Sequence, residues 1–228
     1  GPVSGFSNLI SCLHVTDITG TGANKLLYVG GTFDSIGGVA GTGSIATFDG
    51  TTFSPLGTGV RTVDIVGGSP AYSTGAVNAV IQFGGNLYIG GQFDGTAEGA
   101  ISRGAIRWNT STLAYEPINV QDPDVGVYVV NAFANYKGEL YAGGNFAGMG
   151  NTITNSIAKY DVGTNDWSAV DGGSNNAIAN VFDLAVFNDG SGEKLYCVGN
   201  FTRMGAALNP ATRTLAAFDG TTWNPVGS

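Results

Sequence analysis

Charge is scarce in this sequence. Of its 228 residues only 11% are Asp, Glu, Lys or Arg, and it holds one histidine, His14, and two cysteines, Cys12 and Cys197. Each shortage excludes something. Zinc sites of the usual kind draw on several His and Cys ligands, which one histidine and two unclustered cysteines do not supply. A Ser-His-Asp or Cys-His site would have to centre on His14, and no G-x-S-x-G elbow occurs anywhere. Two cysteines are too few for a disulfide framework. Seventeen acids against nine bases leave a net charge of −8, a surface that repels phosphate backbones and anionic bilayers. Nucleic-acid partners and membrane insertion are therefore not expected. No apolar run approaches the ~18 residues of a membrane span, and no signal-peptide pattern is visible. Gly1-Pro2 matches the pair that a common tag-removing protease leaves, so the sequence reads as an excised piece without its native termini.

Glycine, by contrast, takes 38 of the 228 positions, more than twice its usual ~7% share. It follows no three-residue period, which excludes collagen. With Thr, Ser and Asn carrying most of the polar work, the composition suits many short strands and tight turns rather than helices.

The strands repeat. KLLYVGGTFD (25–34) returns as NLYIGGQFDG, ELYAGGNFAG and KLYCVGNFTR. Aligned on Tyr28, Tyr88, Tyr141 and Tyr196, the copies step by 60, 53 and 55 residues. Five residues on stand Phe33, Phe93, Phe146 and Phe201. A second aromatic follows beside Asp or Asn (Phe48, Trp108, Tyr160, Phe218), then a third (Phe53, Tyr115, Trp167, Trp223). Each copy reads as four short strands, in the second copy 76–83, 86–93, 104–109 and 113–118, with Gly84-Gly85 as a two-residue hairpin turn. A four-stranded antiparallel unit recurring every ~50 residues is the pattern of a β-propeller blade. The expected fold is thus all-β, one domain over 1–228 with four blades near 6–58, 75–121, 128–173 and 178–227. A closed four-bladed ring and an arc of a larger kelch-like propeller are both open. The repeated glycine doublet marks a bulge or a close backbone approach, and copy four departs from it with Val198 for the first glycine.

ELYAGGNF (139–146) followed by YDVGTNDWSAV (160–170) resembles a kelch repeat. The fuller pattern, LYxGGxF…GG…IAxFDGTTxxPLG, is closer to the propeller repeats of fungal cortical cell-polarity markers, which also occur in secreted bacterial and large-virus proteins. The resemblance spans residues 6 to 227 and implies a propeller, not one function. Copper radical oxidases on kelch-type propellers need at least two histidines, so the single His14 sets this chain apart from them.

Inner-strand spacing places Ser11, Asn78, Asn131 and Asp183 at equivalent positions, turned toward a central axis, where they would bind a ligand or simply line a hydrated pore. In a closed ring Cys12 and Cys197 fall in neighbouring blades, as a disulfide or as two small buried hydrophobes. The turns DGTTF (49–53), DVGTNDW (161–167) and DGTTW (219–223) have the chemistry of hairpin turns and lack the spacing of a calcium loop. Asp34 and Asp94 follow the GGxF phenylalanine and read as turn or capping residues. Arg103, Arg107, Arg203 and Arg213 lie in or beside the link between strands two and three and read as solvated charge. Asn109 and Asn200 head glycosylation sequons. No catalytic residue, metal site or cofactor is assigned.

The expected function is a non-catalytic binding or adhesion module on a cell or particle surface, recognising a protein or glycan through loops on one propeller face. Two alternatives stand beside it. One is a structural or self-assembling segment of a larger surface or virion protein; the other is a glycan-active enzyme using carboxylates such as Asp183.

Overall fold

The computed structural model describes residues 9–17, 25–66, 69–119, 128–175, 179–206 and 212–227, and every regular element among them is a β-strand. The chain divides into two compact units, Gly1–Val120 and Gln121–Ser228. Each unit carries two copies of one antiparallel four-stranded sheet.

The strands of the first unit are β1 (Leu9–Thr16), β2 (Leu26–Thr32), β3 (Ser35–Ile36), β4 (Val39–Ala40), β5 (Ile45–Phe48), β6 (Phe53–Pro55), β7 (Val60–Val66), β8 (Ser69–Thr74), β9 (Ala76–Phe83), β10 (Asn86–Gln92), β11 (Gly95–Thr96), β12 (Ala105–Asn109) and β13 (Ala114–Pro117). The first sheet has the order β1-β2-β5-β6 and the second β9-β10-β12-β13, while β11-β7-β8 form a separate three-stranded sheet. The second unit holds β14 (Val129–Tyr136), β15 (Glu139–Asn145), β16 (Gly148–Met149), β17 (Thr152–Ile153), β18 (Ile157–Asp161), β19 (Asp166–Ala169), β20 (Val181–Asn188), β21 (Glu193–Gly199), β22 (Leu215–Phe218) and β23 (Trp223–Pro225). Its third and fourth sheets run β14-β15-β18-β19 and β20-β21-β22-β23. The four-stranded repeat read from the sequence is therefore present four times.

Local chemistry explains the repeat. Gly84 and Gly85 take φ of 54° and 80°, the paired positive values of a primed two-residue hairpin that glycine adopts without a Cβ penalty. The second and third aromatics of every copy turn out to be directly opposite one another across the outer hairpin. Phe48 pairs with Phe53, Trp108 with Tyr115, Tyr160 with Trp167 and Phe218 with Trp223. Their ring centroids lie 4.6, 4.8, 4.9 and 5.2 Å apart, so each sheet is clasped by one cross-strand aromatic pair.

The glycine doublet has two separate causes. Inside each sheet the inner strand carries a β-bulge. A Cβ on the second glycine (Gly31, Gly91, Gly144 or Gly199) would stand 1.9–2.2 Å from the carbonyl oxygen of Leu9, Ala76, Val129 or Asn180. The first glycine answers to the neighbouring sheet as well. A Cβ on Gly30 would meet Cγ1 of Val77 and, within its own sheet, Sγ of Cys12, both at 2.5 Å, and one on Gly143 would meet Cγ1 of Val181 at 2.6 Å.

The bulges also correct the register of the inner strands. Ser11, Asn78 and Asn131 are the bulged residues of the first three sheets, but Phe182, not Asp183, holds that place in the fourth. Asp183 pairs with Val198 and so matches Cys12, Ala79 and Ala132. The bulge consumes one residue between glycine partners, and counting along the chain from the outer motif does not reveal which residue it takes.

In the first unit β9 packs against β1 and β2. The core between the two sheets holds Tyr28 and Ile45 from one side and Val77, Leu87, Ile89 and Trp108 from the other, with Cys12 and Val80 beside them. In the second unit β20 packs against β14 and β15, and Tyr141 and Ile157 meet Val181, Leu184, Leu195 and Phe218. The same rule operates in both units: the side of one sheet that bears the first glycine covers the opposite side of the next.

Candidate functional site

The link between strands two and three is the least repetitive part of the sequence, yet its closure is uniform. Ser44, Gly104, Ser156 and Thr214 all adopt positive φ, of 68°, 71°, 70° and 61°. Their amides donate to the carbonyls of Phe33, Phe93, Phe146 and Phe201 at 2.8–3.2 Å, and their own carbonyls accept from Gly31, Gly91, Gly144 and Gly199 at 2.9–3.0 Å. This backbone lock fixes where each loop leaves its sheet. For three non-glycine residues it does so in a region that costs about 1–2 kcal/mol. Ser44 and Ser156 offset that cost by donating through Oγ to the carbonyls of Gly75 and Ala179, at 2.5 and 2.9 Å, at the start of the next sheet.

On the loop edge of the first unit these locks carry a chain of charges. Asp34 pairs with Arg61 at 3.1 Å and Asp94 with Arg103 at 3.4 Å. The two are joined through the backbone, since the amide of Asp94 donates to the carbonyl of Arg61 at 2.9 Å. Asp94 Oδ2 also accepts from the amide of Val63 at 2.9 Å. Asp34 and Asp94 thus hold the β7–β8 hairpin to the loops after β2 and β10. The side chains of Arg61 and Arg103 are only 16% and 13% exposed. Arg103 is therefore not the solvated charge that the sequence suggested; it is drawn in by a carboxylate that already binds the hairpin. Arg107 likewise faces Glu116 across β12 and β13, at 2.6 Å.

The hairpin was not legible as a separate element. It accounts for the long first step of the repeat: 20 residues separate β6 from β9, against 11 between β13 and β14 and 11 between β19 and β20. The signal that would have found it is Gly67-Gly68 between two runs rich in Val, Ile, Thr and Tyr. One face of the hairpin presents Tyr72, 50% exposed and opposite Val63; the other presents the hydroxyls of Thr62 and Ser73, which bond to each other. Ile101, also exposed, lies on the loop bridged to Gly95 of β11. With both arginines already paired, this edge offers an aromatic ring, hydroxyls and one half-exposed carboxylate, Asp34. Such groups recognise by stacking and hydrogen bonding rather than by net charge.

The residues assigned to a central axis are distributed as follows. Ser11 is exposed, and Asn78 is half-buried on the neighbouring sheet of the same unit. Asn131 is committed to the joint between the third and fourth sheets, donating through Nδ2 to Asn180 Oδ1 at 2.6 Å and to the Val181 carbonyl at 2.8 Å. Asp183 is exposed and accepts from the amide of Leu184 at 2.8 Å.

The acidic turns are hairpin turns in the structure. Asp49 accepts from the amides of Thr51 and Thr52, both at 2.8 Å, and Asp219 from those of Thr221 and Thr222, at 2.8 and 2.9 Å. The Thr52 and Thr51 amides hold the Asp49 carboxyl below its ordinary range, and the Thr222 and Thr221 amides do the same for Asp219. Asn109 spends its Nδ2 on Glu116, at 2.7 Å. Cys12 and Cys197 are both free thiols. Burial pushes Cys12 up to about 11 and Cys197 higher still, so both behave as small apolar groups. Among the described residues no group of three or more His, Cys, Asp or Glu side chains is placed to hold a metal ion, and no helix is long and apolar enough to cross a membrane.

No family model matches the sequence, and no curated protein matches it. Among solved structures the chain is similar to the extracellular domain of a B. thetaiotaomicron protein described as a hybrid two-component system, with a TM-score of 0.48 and 15% identity. The match covers 96% of this chain and 22% of that one.

Proposed function

We propose that the four sheets are blades of a kelch-like β-propeller, and that the chain is a non-catalytic extracellular or particle-surface module recognising a protein or glycan through its loop edge. The observation that carries the reading is the β7–β8 hairpin. It is the one long departure from an otherwise regular repeat among the described residues, it is braced by two arginine–carboxylate pairs, and it bears exposed Tyr72 on one face and the Thr62 and Ser73 hydroxyls on the other. Regular scaffolds that carry a braced, irregular loop commonly use it for contact. The paired charges favour a ligand read by hydroxyls and aromatic surface, such as a neutral glycan or a polar protein face.

The test is a screen of the labelled chain against a glycan array, with and without chelator, repeated with Tyr72→Ala. Saturable binding to a related set of sugars, weakened roughly tenfold by Tyr72→Ala, is the expected result, tenfold being about 1.4 kcal/mol of contact energy. Binding that ignores Tyr72→Ala would move the site elsewhere, and loss with chelator would require a cation. The second reading, a repeat segment of a larger assembly, is favoured by the exposed apolar residues of β1.

A further inference from the structure

Two sheet-to-sheet joints, one in each unit, obey the same rule. The glycine-bearing side of one sheet covers the side of the next that carries Val77 and Val80 in the first unit, and Val181 and Leu184 in the second. By strand register the counterparts on the first sheet are Ile10 for Val77 and Val181, and Leu13 for Val80 and Leu184. Val77 and Val181 are both 0% exposed and Leu184 7%, but Ile10 is 46% and Leu13 64% exposed, with Val15 beside them at 60%. Among the described residues of the first unit, the first sheet therefore has the apolar face of a repeat that follows another, exposed where Val77 and Val181 are buried.

The fourth sheet shows the reverse condition on its glycine-bearing side. Val198 stands where the first three sheets have glycine, and Asp183 where they have Cys12, Ala79 and Ala132. At Gly30 and Gly143 a Cβ alone would come within 2.6 Å of the valine that packs there. A valine at this place keeps the incoming side chain out, and Asp183 would bring a carboxylate into an apolar joint. The lock residue agrees: Ser44 and Ser156 are buried and donate to the following sheet, whereas Thr214 is exposed and turns its hydroxyl to the carbonyl of Arg213.

We propose that the Ile10–Leu13–Val15 side of β1 is the seat for the glycine-bearing side of another repeat of this type, and that Val198 and Asp183 prevent the fourth sheet of a second copy from taking that seat. The occupant is defined by its chemistry. It is a four-stranded antiparallel sheet with glycine at the Gly30 position and a small apolar residue at the Cys12 position. A face of apolar residues with those clearances fits no charged ligand, and it is independent of the loop edge that carries Tyr72.

The experiment restores the missing clearance. The double variant Val198→Gly, Asp183→Ala gives the fourth sheet the glycine side found in the first three, so that one copy can seat on β1 of the next. Sedimentation velocity over a concentration series is expected to show the wild-type chain at the mass of one copy. The double variant should self-associate, and adding Leu13→Lys should return it to one copy. Circular dichroism and Tm establish that each variant is folded. A folded double variant that stays at one copy would overturn the proposal. So would association that survives Leu13→Lys, or a wild-type chain that already associates through Leu13. Leu13→Lys in the wild-type chain supplies a second measurement if the double variant does not fold. A Tm within a degree or two of wild type is expected, and a drop of the size seen for a core substitution would show that Leu13 already has a cover.

Discussion

The hydroxyl of Tyr115 donates a 2.5 Å hydrogen bond to the carbonyl of Leu56, across 59 residues and from the outer strand of the second sheet to the end of the first. The second unit repeats the relationship with a different side chain, Trp223 Nε1 donating to the carbonyl of Val170 at 3.3 Å. Each carbonyl also accepts a local amide, from Gly59 at 3.2 Å and from Gly173 at 3.0 Å. The outer aromatic of a following repeat thus fastens it to the preceding one by its polar tip, while its ring is buried in the joint.

Tyr115→Phe keeps the ring and removes the donor. Because Leu56 retains the Gly59 amide, the loss should be modest, about 1 kcal/mol in urea unfolding. Tyr115→Ala, which also empties the joint, should cost about 3–5 kcal/mol. Equal losses for the two variants would mean that the ring contributes little.

Gly91→Ala tests the bulge. The added Cβ would stand 1.9 Å from the carbonyl oxygen of Ala76, and backbone cannot yield as a flexible side chain does. A loss of about 3 kcal/mol is expected, with the same outcome for Gly31→Ala, whose Cβ would lie 2.0 Å from Leu9 O. Near-wild-type urea midpoints would show that the inner strand is not bulged at that point.

His14 predicts a pH dependence. Burial holds its imidazole below the ordinary 6.5, and its Nε2 has no hydrogen-bond partner. As pH falls through the ordinary value, the unfolded chain takes up the proton before the folded one does, so stability declines. Tm should fall from about pH 7.5 to about pH 5.5, and the slope should vanish in His14→Ile, which installs the residue found at the equivalent Ile81. Asp49 and Asp219, held low by turn amides, add a slope of the same sign only at more acidic pH. A slope that persists unchanged in His14→Ile would assign it to other groups.

Arg103→Ala should not be silent. Its side chain is 13% exposed beside Asp94, which remains behind when the guanidinium is removed. A loss of about 1–2 kcal/mol is expected, measured against Arg213→Ala, whose exposed side chain should leave stability within about 0.5 kcal/mol of wild type. Equal values for the two would return Arg103 to the class of surface charge.

Much of this was legible in the chain itself. The positions of Tyr28, Tyr88, Tyr141 and Tyr196, the Gly84-Gly85 turn and the recurring aromatics predict four-stranded sheets, because strand period, turn chemistry and hairpin length act within a few residues of one another. The bounds of β9 were readable to the residue. The candidate site was less so. Asp34 and Asp94 were visible as the residues after GGxF, but their partners Arg61 and Arg103 were not, since the pairing depends on where the β7–β8 hairpin folds back.

The sequence alone determined the repeat, its strand order and the glycine turn at Gly84-Gly85, because those depend on local φ, ψ and side-chain alternation. Tertiary structure decided the rest. It moved the bulge in the fourth sheet to Phe182 and drew Arg61 and Arg103 in against Asp34 and Asp94. It separated the glycine doublet into one position set by its own sheet and one set also by its neighbour. Each of these turns on the distance between atoms far apart in the chain, which no local pattern encodes.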